Sequence, residues 1–188
     1  MAIYYKLFWF LRSIFFKLLF KRVGNLCLLG KPIFIYGSKK ISIGNKVRIF
    51  PHYRFEVHSD GAITIADDVS IGQGFHLISS DSNLLIESGT VISCNVLITN
   101  CDHVYHKPNV SVNEQPLIAN ETRIGKNCFI GAGCVIQAGT ILGDQCIVGA
   151  GAVVRGVFPA NSVLVGTPAK IVKSYDFDKK SWCKFNDK

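Results

Sequence analysis

An aliphatic residue recurs at every sixth position through the second half of this chain, at Ile124, Ile130, Ile136, Leu142, Val148 and Val154, and Gly125, Gly131, Gly143 and Gly149 stand directly behind four of them. A helix repeats near 3.6 residues and a strand near 2, so neither element alone produces this spacing. A period of six fits a parallel β-helix in which each hexad supplies one short strand and one corner, and three hexads close a triangular coil. The aliphatic side chain then points into the prism. The second inward position falls four residues later on small residues, Cys128, Cys134, Thr140, Cys146 and Ala152. The glycine behind each aliphatic residue is expected at a tight corner, where freedom at positive φ is useful.

The same reading extends backwards through Ile43, Ile49 and Phe55, then Ile65, Ile71 and Leu77, then Ile86, Ile92 and Ile98, so about five coils begin at residues 43, 65, 86, 124 and 142. The steps between these starts exceed eighteen residues by 4, 3, 20 and 0, and every excess falls after a third strand. A solenoid collects its insertions on one edge, often the binding edge. The longest insertion, residues 104–123, exceeds the roughly 12–15 residues usual for a loop in a compact domain and is expected to carry function. The chain thus divides into a basic, amphipathic helical segment and lead-in over 1–40, an all-β parallel β-helix over 41–173 with a projecting loop at 104–123, and a tail over 174–188.

Charge is distributed unevenly. Residues 1–55 hold eleven Lys and Arg and no acid, while the rest of the chain holds ten basic against thirteen acidic residues, so the net +8 belongs to the first third. Lys6, Arg12, Lys17, Lys21 and Arg22 interrupt the aromatic and aliphatic run at Phe8, Trp9, Phe10, Phe15, Phe16, Leu18, Leu19 and Phe20. No uncharged stretch approaches the length of a membrane span or a signal-peptide core. On a helix, Lys6, Ser13, Lys17 and Lys21 form a narrow polar stripe beside a broad apolar face. Two uses fit, an interfacial helix on an anionic leaflet and a cap on the open end of the β-helix. A nucleic-acid surface is not expected, because large apolar side chains separate the basic residues.

Seven cysteines form no CxxC pair, and Cys128, Cys134 and Cys146 occupy the small inward position, so they read as core residues of a reduced, cytoplasmic protein. Cys94 and Cys101, seven residues apart near the loop, have no activating context that would make either a nucleophile. His103 and His106 with Asp102 lack a further ligand, so no metal is expected.

The stretch Ile98-Thr-Asn-Cys-Asp-His before the long loop, the run Ile124-Gly-Lys-Asn-Cys-Phe-Ile-Gly-Ala-Gly-Cys-Val-Ile, and the closing Val165-Gly-Thr-Pro-Ala-Lys resemble the hexapeptide-repeat O-acetyltransferases that modify sugars, above all those of bacterial surface-polysaccharide biosynthesis. The resemblance covers roughly residues 41–173. It implies a left-handed β-helix, against the usual right-handed crossover rule, and a homotrimer with acetyl-CoA sites between neighbouring subunits. It also implies an acetyl-CoA-dependent transfer to a sugar or glycan hydroxyl at the inner face of the cell membrane. N-acetylation of an amino sugar and a non-catalytic scaffold are the alternatives.

Acetyl transfer from a thioester to an alcohol needs a base for the hydroxyl proton, and a histidine suits that step. His103, at the end of a third strand where the family's catalytic histidine lies, is the expected base. His106 is the rival, and Asp102 is a candidate to orient the imidazole. Gly131 and Ala132, then Gly149 and Ala150, stand one coil apart on the same edge and are expected to line a groove for the extended pantetheine arm. Pro168, Ala169 and Lys170 resemble the family's adenine-end contact, with Lys170 placed to meet CoA phosphates. Many relatives carry Trp where this chain has Phe129, which retains an aromatic face for the acceptor but loses an indole donor. His52, His58 and His76 match no motif position and read as surface residues.

Overall fold

The computed structural model describes residues 2–185. One helix, Ala2–Leu19, is followed by a solenoid of short parallel strands. Each solenoid strand pairs with those one coil before and after it, and the strands gather into three sheets that form the faces of a prism. Face 1 has seven strands, face 2 has nine, and face 3 has six. The register stacks like on like. Ile65, Ile86, Ile124 and Leu142 align on face 1, Ile71, Ile92, Ile130 and Val148 on face 2, and Leu77, Ile98, Ile136 and Val154 on face 3. All of these side chains are buried in one continuous core. Each contributes roughly 1.5–3 kcal/mol by leaving water, so the hexad period is itself the source of the stability.

The small inward residues Cys128, Cys134, Thr140, Cys146 and Ala152 are buried as the spacing predicts. Several carry a polar atom that finds a partner on the next coil: the Cys128 thiol donates to the Gly143 carbonyl at 3.3 Å, that of Cys134 to Gly149 at 3.0 Å and that of Cys146 to Pro159 at 3.2 Å. All seven cysteines are free thiols.

The glycines behind the aliphatic residues have a different role from the one expected. Gly125, Gly131 and Gly143 are not in the left-handed region. A Cβ on Gly131 would lie 2.5 Å from the Ala150 nitrogen, and one on Gly143 would lie 2.4 Å from that of Ala160, so what forbids a side chain is the backbone of the next coil. Positive φ falls two residues later, at Asn127, Gly133, Gly139, Gln145 and Gly151.

The solenoid begins one coil earlier than the reading from residue 43. Arg22–Val23, Leu28–Leu29 and Phe34–Tyr36 pair in parallel with the strands of the next coil. Val23, Leu29 and Ile35 continue the period of six, with Gly24 and Gly30 behind the first two. Six full coils and two strands of a seventh result. Residues 174–185 of the tail are likewise part of the fold, where Ala169–Asp176 and Ser181–Lys184 add two antiparallel strands to face 2, and residues 186–188 lie outside the described residues.

The helix lies across the open end of the first coil. Phe16 and Phe20 join the core cluster, Trp9 packs edge-on to Phe50 with ring centroids 5.2 Å apart, and the Arg12 guanidinium donates to the Leu29 carbonyl at 3.1 Å. Ser13, expected on a solvent-facing polar stripe, is buried on this seat. Its hydroxyl bonds the Phe10 carbonyl at 2.7 Å, which satisfies it without water. No helix among the described residues is long and apolar enough to cross a membrane.

Candidate active site

The insertions do fall on one edge, the corner between faces 3 and 1. There the third coil-4 strand, Leu97–Thr99, stops at Asn100, and the chain leaves the solenoid. Asn100 is fully buried. Its side-chain oxygen accepts from the Ser80 amide at 2.8 Å, and its amide group donates to the Ser80 and Ser82 carbonyls, both at 3.2 Å, and to Ser82 Oγ at 3.0 Å. Its own carbonyl accepts the Asn120 amide at 2.7 Å, so one residue fixes both the exit and the return of the loop.

The loop is a hairpin. Cys101–His103 pairs antiparallel with Leu117–Ala119, and His103 stands opposite Leu117. His103 therefore belongs to the first arm of the hairpin and not to the third strand of the coil. Gln115 ties down the tip: its side chain accepts the Lys107 amide at 3.1 Å and donates to the Val110 carbonyl at 3.1 Å.

A cavity of about 390 Å³ opens between the hairpin and the next coils, lined by His103, His106, Tyr105, Ile118, Asn120 and Arg155 among others. Both candidate bases are brought to it, and both are exposed. Asp102 lines the same cavity, but among the described residues it makes no hydrogen bond to either imidazole; its carboxylate is held by Arg155, Nη2 to Oδ2 at 2.8 Å. Burial pushes the Cys101 thiol above its usual range, partly opposed by a hydrogen bond with Thr99, which removes the thiolate a nucleophile would need.

The expected cofactor residues lie on another edge, the corner between faces 2 and 3. Gly131-Ala132-Gly133, Gly149-Ala150-Gly151 and the turn Gly166-Thr167-Pro168 stack there, the Gly151 amide bonding the Ala132 carbonyl at 2.8 Å and Thr167 Oγ1 reaching the Gly151 carbonyl at 3.4 Å. The amides of Ala132 and Ala150 have no hydrogen-bond partner among the described residues. A Cβ built on Gly133 or Gly151 would meet nothing within 4 Å, so bare backbone faces open space along the track. Ala169 begins the strand after the turn, and Lys170 beside it is exposed, without an ion pair among the described residues. Such a track fits an extended amide-bearing chain ending in phosphates.

Within one chain these two corners sit at opposite ends of face 3, and nothing brings His103 to the glycine track. Phe129, expected beside the acceptor, stands on the flat of face 2, in register with Val91 and Ile147, next to the track and away from the histidine cavity.

Three features escaped the sequence reading. Arg155 and Asp102 meet across fifty-three positions, a distance that leaves no local signal. Asn100 was readable as a polar residue at an inward position, though its partners were not. On face 3, Glu56 collects Arg54 at 2.6 Å, His76 at 2.9 Å and His58 at 3.4 Å, so two of the histidines read as mere surface residues gather round one carboxylate. Burial pushes the Glu56 carboxyl up, but hydrogen bonds from Arg54 and His76 outweigh it and hold the group at about 2. Among the described residues no cluster of His, Cys, Asp and Glu is arranged to hold a metal ion.

Residues 121–155 match the model of the hexapeptide repeat of succinyl-transferase. The chain is 30% identical over 165 residues to WbbJ of Escherichia coli, a protein named for lipopolysaccharide-biosynthesis O-acetyl transfer, with 84% of each chain covered. It is 31% identical over 156 residues to the dTDP-4-amino-4,6-dideoxy-D-glucose acyltransferase of Escherichia coli, covering 80% of each. Among solved structures, the AntD N-acyltransferase of Bacillus cereus, determined with dTDP and 3-hydroxybutyryl-CoA, superposes with a TM-score of 0.75 at 22% identity over 89% of this chain and 90% of that one. At that identity the likeness is one of fold, the parallel β-helix expected from the hexads with the left hand that the family resemblance implies.

Proposed function

The chain belongs to the hexapeptide-repeat acyltransferase family, and from that membership we propose that it transfers an acetyl group from acetyl-CoA to a hydroxyl of a sugar or glycan in surface-polysaccharide biosynthesis. The observation that carries this reading is the division of chemistry between two corners. An open backbone track lies at one, and a cavity with two histidines lies at the other.

Acetyl-CoA would supply an activated thioester whose carbonyl the acceptor oxygen attacks. The remaining work falls to this chain. The free amides of Ala132 and Ala150 hold the pantetheine arm as it runs along the corner, and Lys170 meets a phosphate at the far end with a charge-assisted hydrogen bond. His103 takes the hydroxyl proton as the new C–O bond forms and passes it to the CoA sulfur as the C–S bond breaks and CoA leaves. It is favoured over His106 because it is backed by a paired strand, whereas His106 lies in the irregular part of the loop.

A track and a base at different corners become one site only if the track of one subunit faces the hairpin of another. Three-fold closure of triangular prisms does this, which supports a homotrimer with sites between subunits. The exposed aromatic and basic residues of the first helix support peripheral contact with an anionic membrane. Transfer to an amine remains a second reading, favoured by the N-acyltransferase fold neighbour and the amino-sugar acyltransferase relative.

The test is direct. The purified protein should sediment as a trimer, bind acetyl-CoA, and release CoA when offered sugars that carry hydroxyls and no amine. Release only with amino sugars would move the assignment to N-acetylation. Failure to bind acetyl-CoA would leave a scaffold.

A further inference from the structure

The first helix is apolar on two opposite sides, and the solenoid uses only one. Trp9, Ser13, Phe16 and Phe20 form the seat on the first coil. At about 100° per residue, Leu7, Leu11, Ile14 and Leu18 lie roughly 180° away, pointing along the solenoid axis and off the end of the molecule. With Phe8 and Phe15 they are between 47% and 71% exposed. Six large apolar side chains on one free face is more than solubility tolerates without an occupant.

Charge decides the occupant. Lys6 and Lys17 line the helix flank between the seat and the free face, Lys17 reaching Asn25 Oδ1 at 3.1 Å, Lys21 follows the helix, Lys39 is anchored beside the face by its bond to the Leu18 carbonyl at 2.7 Å, and the helix and the turn after it carry no acid. A second copy meeting this end would bring two such fields together and be repelled. An anionic headgroup layer is complementary, at about 1 kcal/mol per basic residue near the surface.

We propose that this face docks end-on on an anionic bilayer, so that the solenoid stands on its first coil and works on acceptors presented by the membrane. The height of the site follows from the strand order of face 3. The hairpin bearing His103 leaves the fourth strand, three spacings of about 4.8 Å above the first. Adding a helix diameter of about 10 Å puts the histidine cavity roughly 25 Å from the lipid surface. That is the reach of a glycan carried on a lipid, and too far for a single sugar at the headgroup level. This assignment of acceptor rests on the acetyl-transfer reading, whereas the docking does not.

Two tryptophans mark the two ends, Trp9 on the helix and Trp182 on the last hairpin. One protein carries Phe15→Trp with Trp9→Phe and Trp182→Phe, and a second carries Trp9→Phe alone and keeps Trp182. Both should pellet with phosphatidylglycerol vesicles. Brominated lipid should quench the first and leave the second unchanged. Quenching of both alike would mean that the solenoid lies on its side. No pelleting would overturn the docking, and lipid-free association abolished by Leu11→Glu with Leu18→Glu would identify a second copy as the occupant.

The same double variant should lose vesicle binding while keeping its acetyl-CoA affinity and its rate on free sugar, which keeps a failed docking distinct from a failed catalytic assignment. The sugar accepted in solution is then tethered to vesicle lipid through spacers shorter and longer than the site height. The long-spacer form should react about tenfold faster than free sugar through its raised local concentration. Equal rates on both spacers would overturn the stated height.

Discussion

At the corner between faces 2 and 3 the aliphatic positions are six residues apart in every coil from Leu29–Ile35 to Val148–Val154, whereas at the corner between faces 3 and 1 the insertions reach 20 residues. The regular corner repeats the same backbone geometry at each strand spacing of about 4.8 Å, which suits a long ligand with evenly placed amides. The irregular corner has no such repeat. It is therefore free to leave the prism and aim particular side chains, and it carries both candidate bases. A ligand track needs periodicity and a reacting group needs an exception to it, and a solenoid supplies both on neighbouring edges.

The sharpest way to break this comparison is to remove the base. His103→Ala should lower acetyl transfer by about 10²–10⁴-fold, the usual worth of a positioned general base, and leave acetyl-CoA affinity unchanged because the proposed binding track lies at the other corner. His106→Ala should retain most of the rate. Steady-state kinetics of the two variants side by side decide between them, and a dead His106 variant with an active His103 variant would reverse the assignment.

Next in size is the anchor of the irregular corner. Asn100→Ala would strand the Ser80 amide and take away the donor shared by the Ser80 and Ser82 carbonyls, while keeping the backbone bond to the Asn120 amide. With a penalty of about 1–3 kcal/mol for each buried polar group left unpaired, thermal unfolding should shift down clearly. The rate should fall with it, since the hairpin loses its fixed exit. A variant that is destabilised but fully active would show that the hairpin is positioned by something else, such as the partner subunit.

At the regular corner, Lys170→Ala should weaken CoA by about tenfold, in the range of a charge-assisted hydrogen bond. It should weaken dephospho-CoA less, as titration calorimetry with both ligands would reveal. Equal losses would place Lys170 on the pyrophosphate instead.

The two corners can also be compared with one chemical change. Gly151 and Gly139 both have positive φ, 69° and 80°, and both have room for a Cβ, with nothing within 4 Å of the first and the Asn120 Cβ at 3.6 Å from the second. Alanine at either should cost about 1 kcal/mol in conformational strain, seen as similar shifts in unfolding midpoint. Only Gly151→Ala should also weaken CoA, because only there would the new methyl enter the track. Matching CoA affinities would remove the track from the site.

How far this was legible follows from the same division. The regular part was readable residue by residue, because a position that must be buried in every coil repeats in the sequence. Val23, Leu29 and Ile35 obey the rule as well, but their strands follow directly on the basic aromatic segment, whose composition hides the period. The irregular part was readable as an interruption, and its histidines by their chemistry. Its geometry was not, since the Asn100 bonds and the Arg155–Asp102 pair join residues with no periodic relation. The helix shows a third case. An amphipathic pattern does not say which face seats on a core, so the sequence puts Ser13 on a polar stripe whereas the structure buries it against the first coil.

Face 3 joins the two corners, and its Glu56 network gives the smallest expected effect. The carboxyl sits at about 2 in the folded protein against an ordinary value of 4.5, since Arg54 and His76 favour its charged form over the penalty of burial. A depressed carboxyl contributes stability that is complete above the unfolded value and is lost as pH falls through the folded one. Glu56→Gln should therefore destabilise the protein at neutral pH, by no more than about 1 kcal/mol because Arg54 and His58 remain partly in water. The difference from the wild type should shrink between pH 4.5 and pH 2. Urea unfolding of both proteins at pH 7 and pH 3 measures this. A difference that stays constant or grows towards acid would mean that the network is held by packing on face 3 and not by the charge on Glu56, and that the strip between the two corners is electrostatically inert.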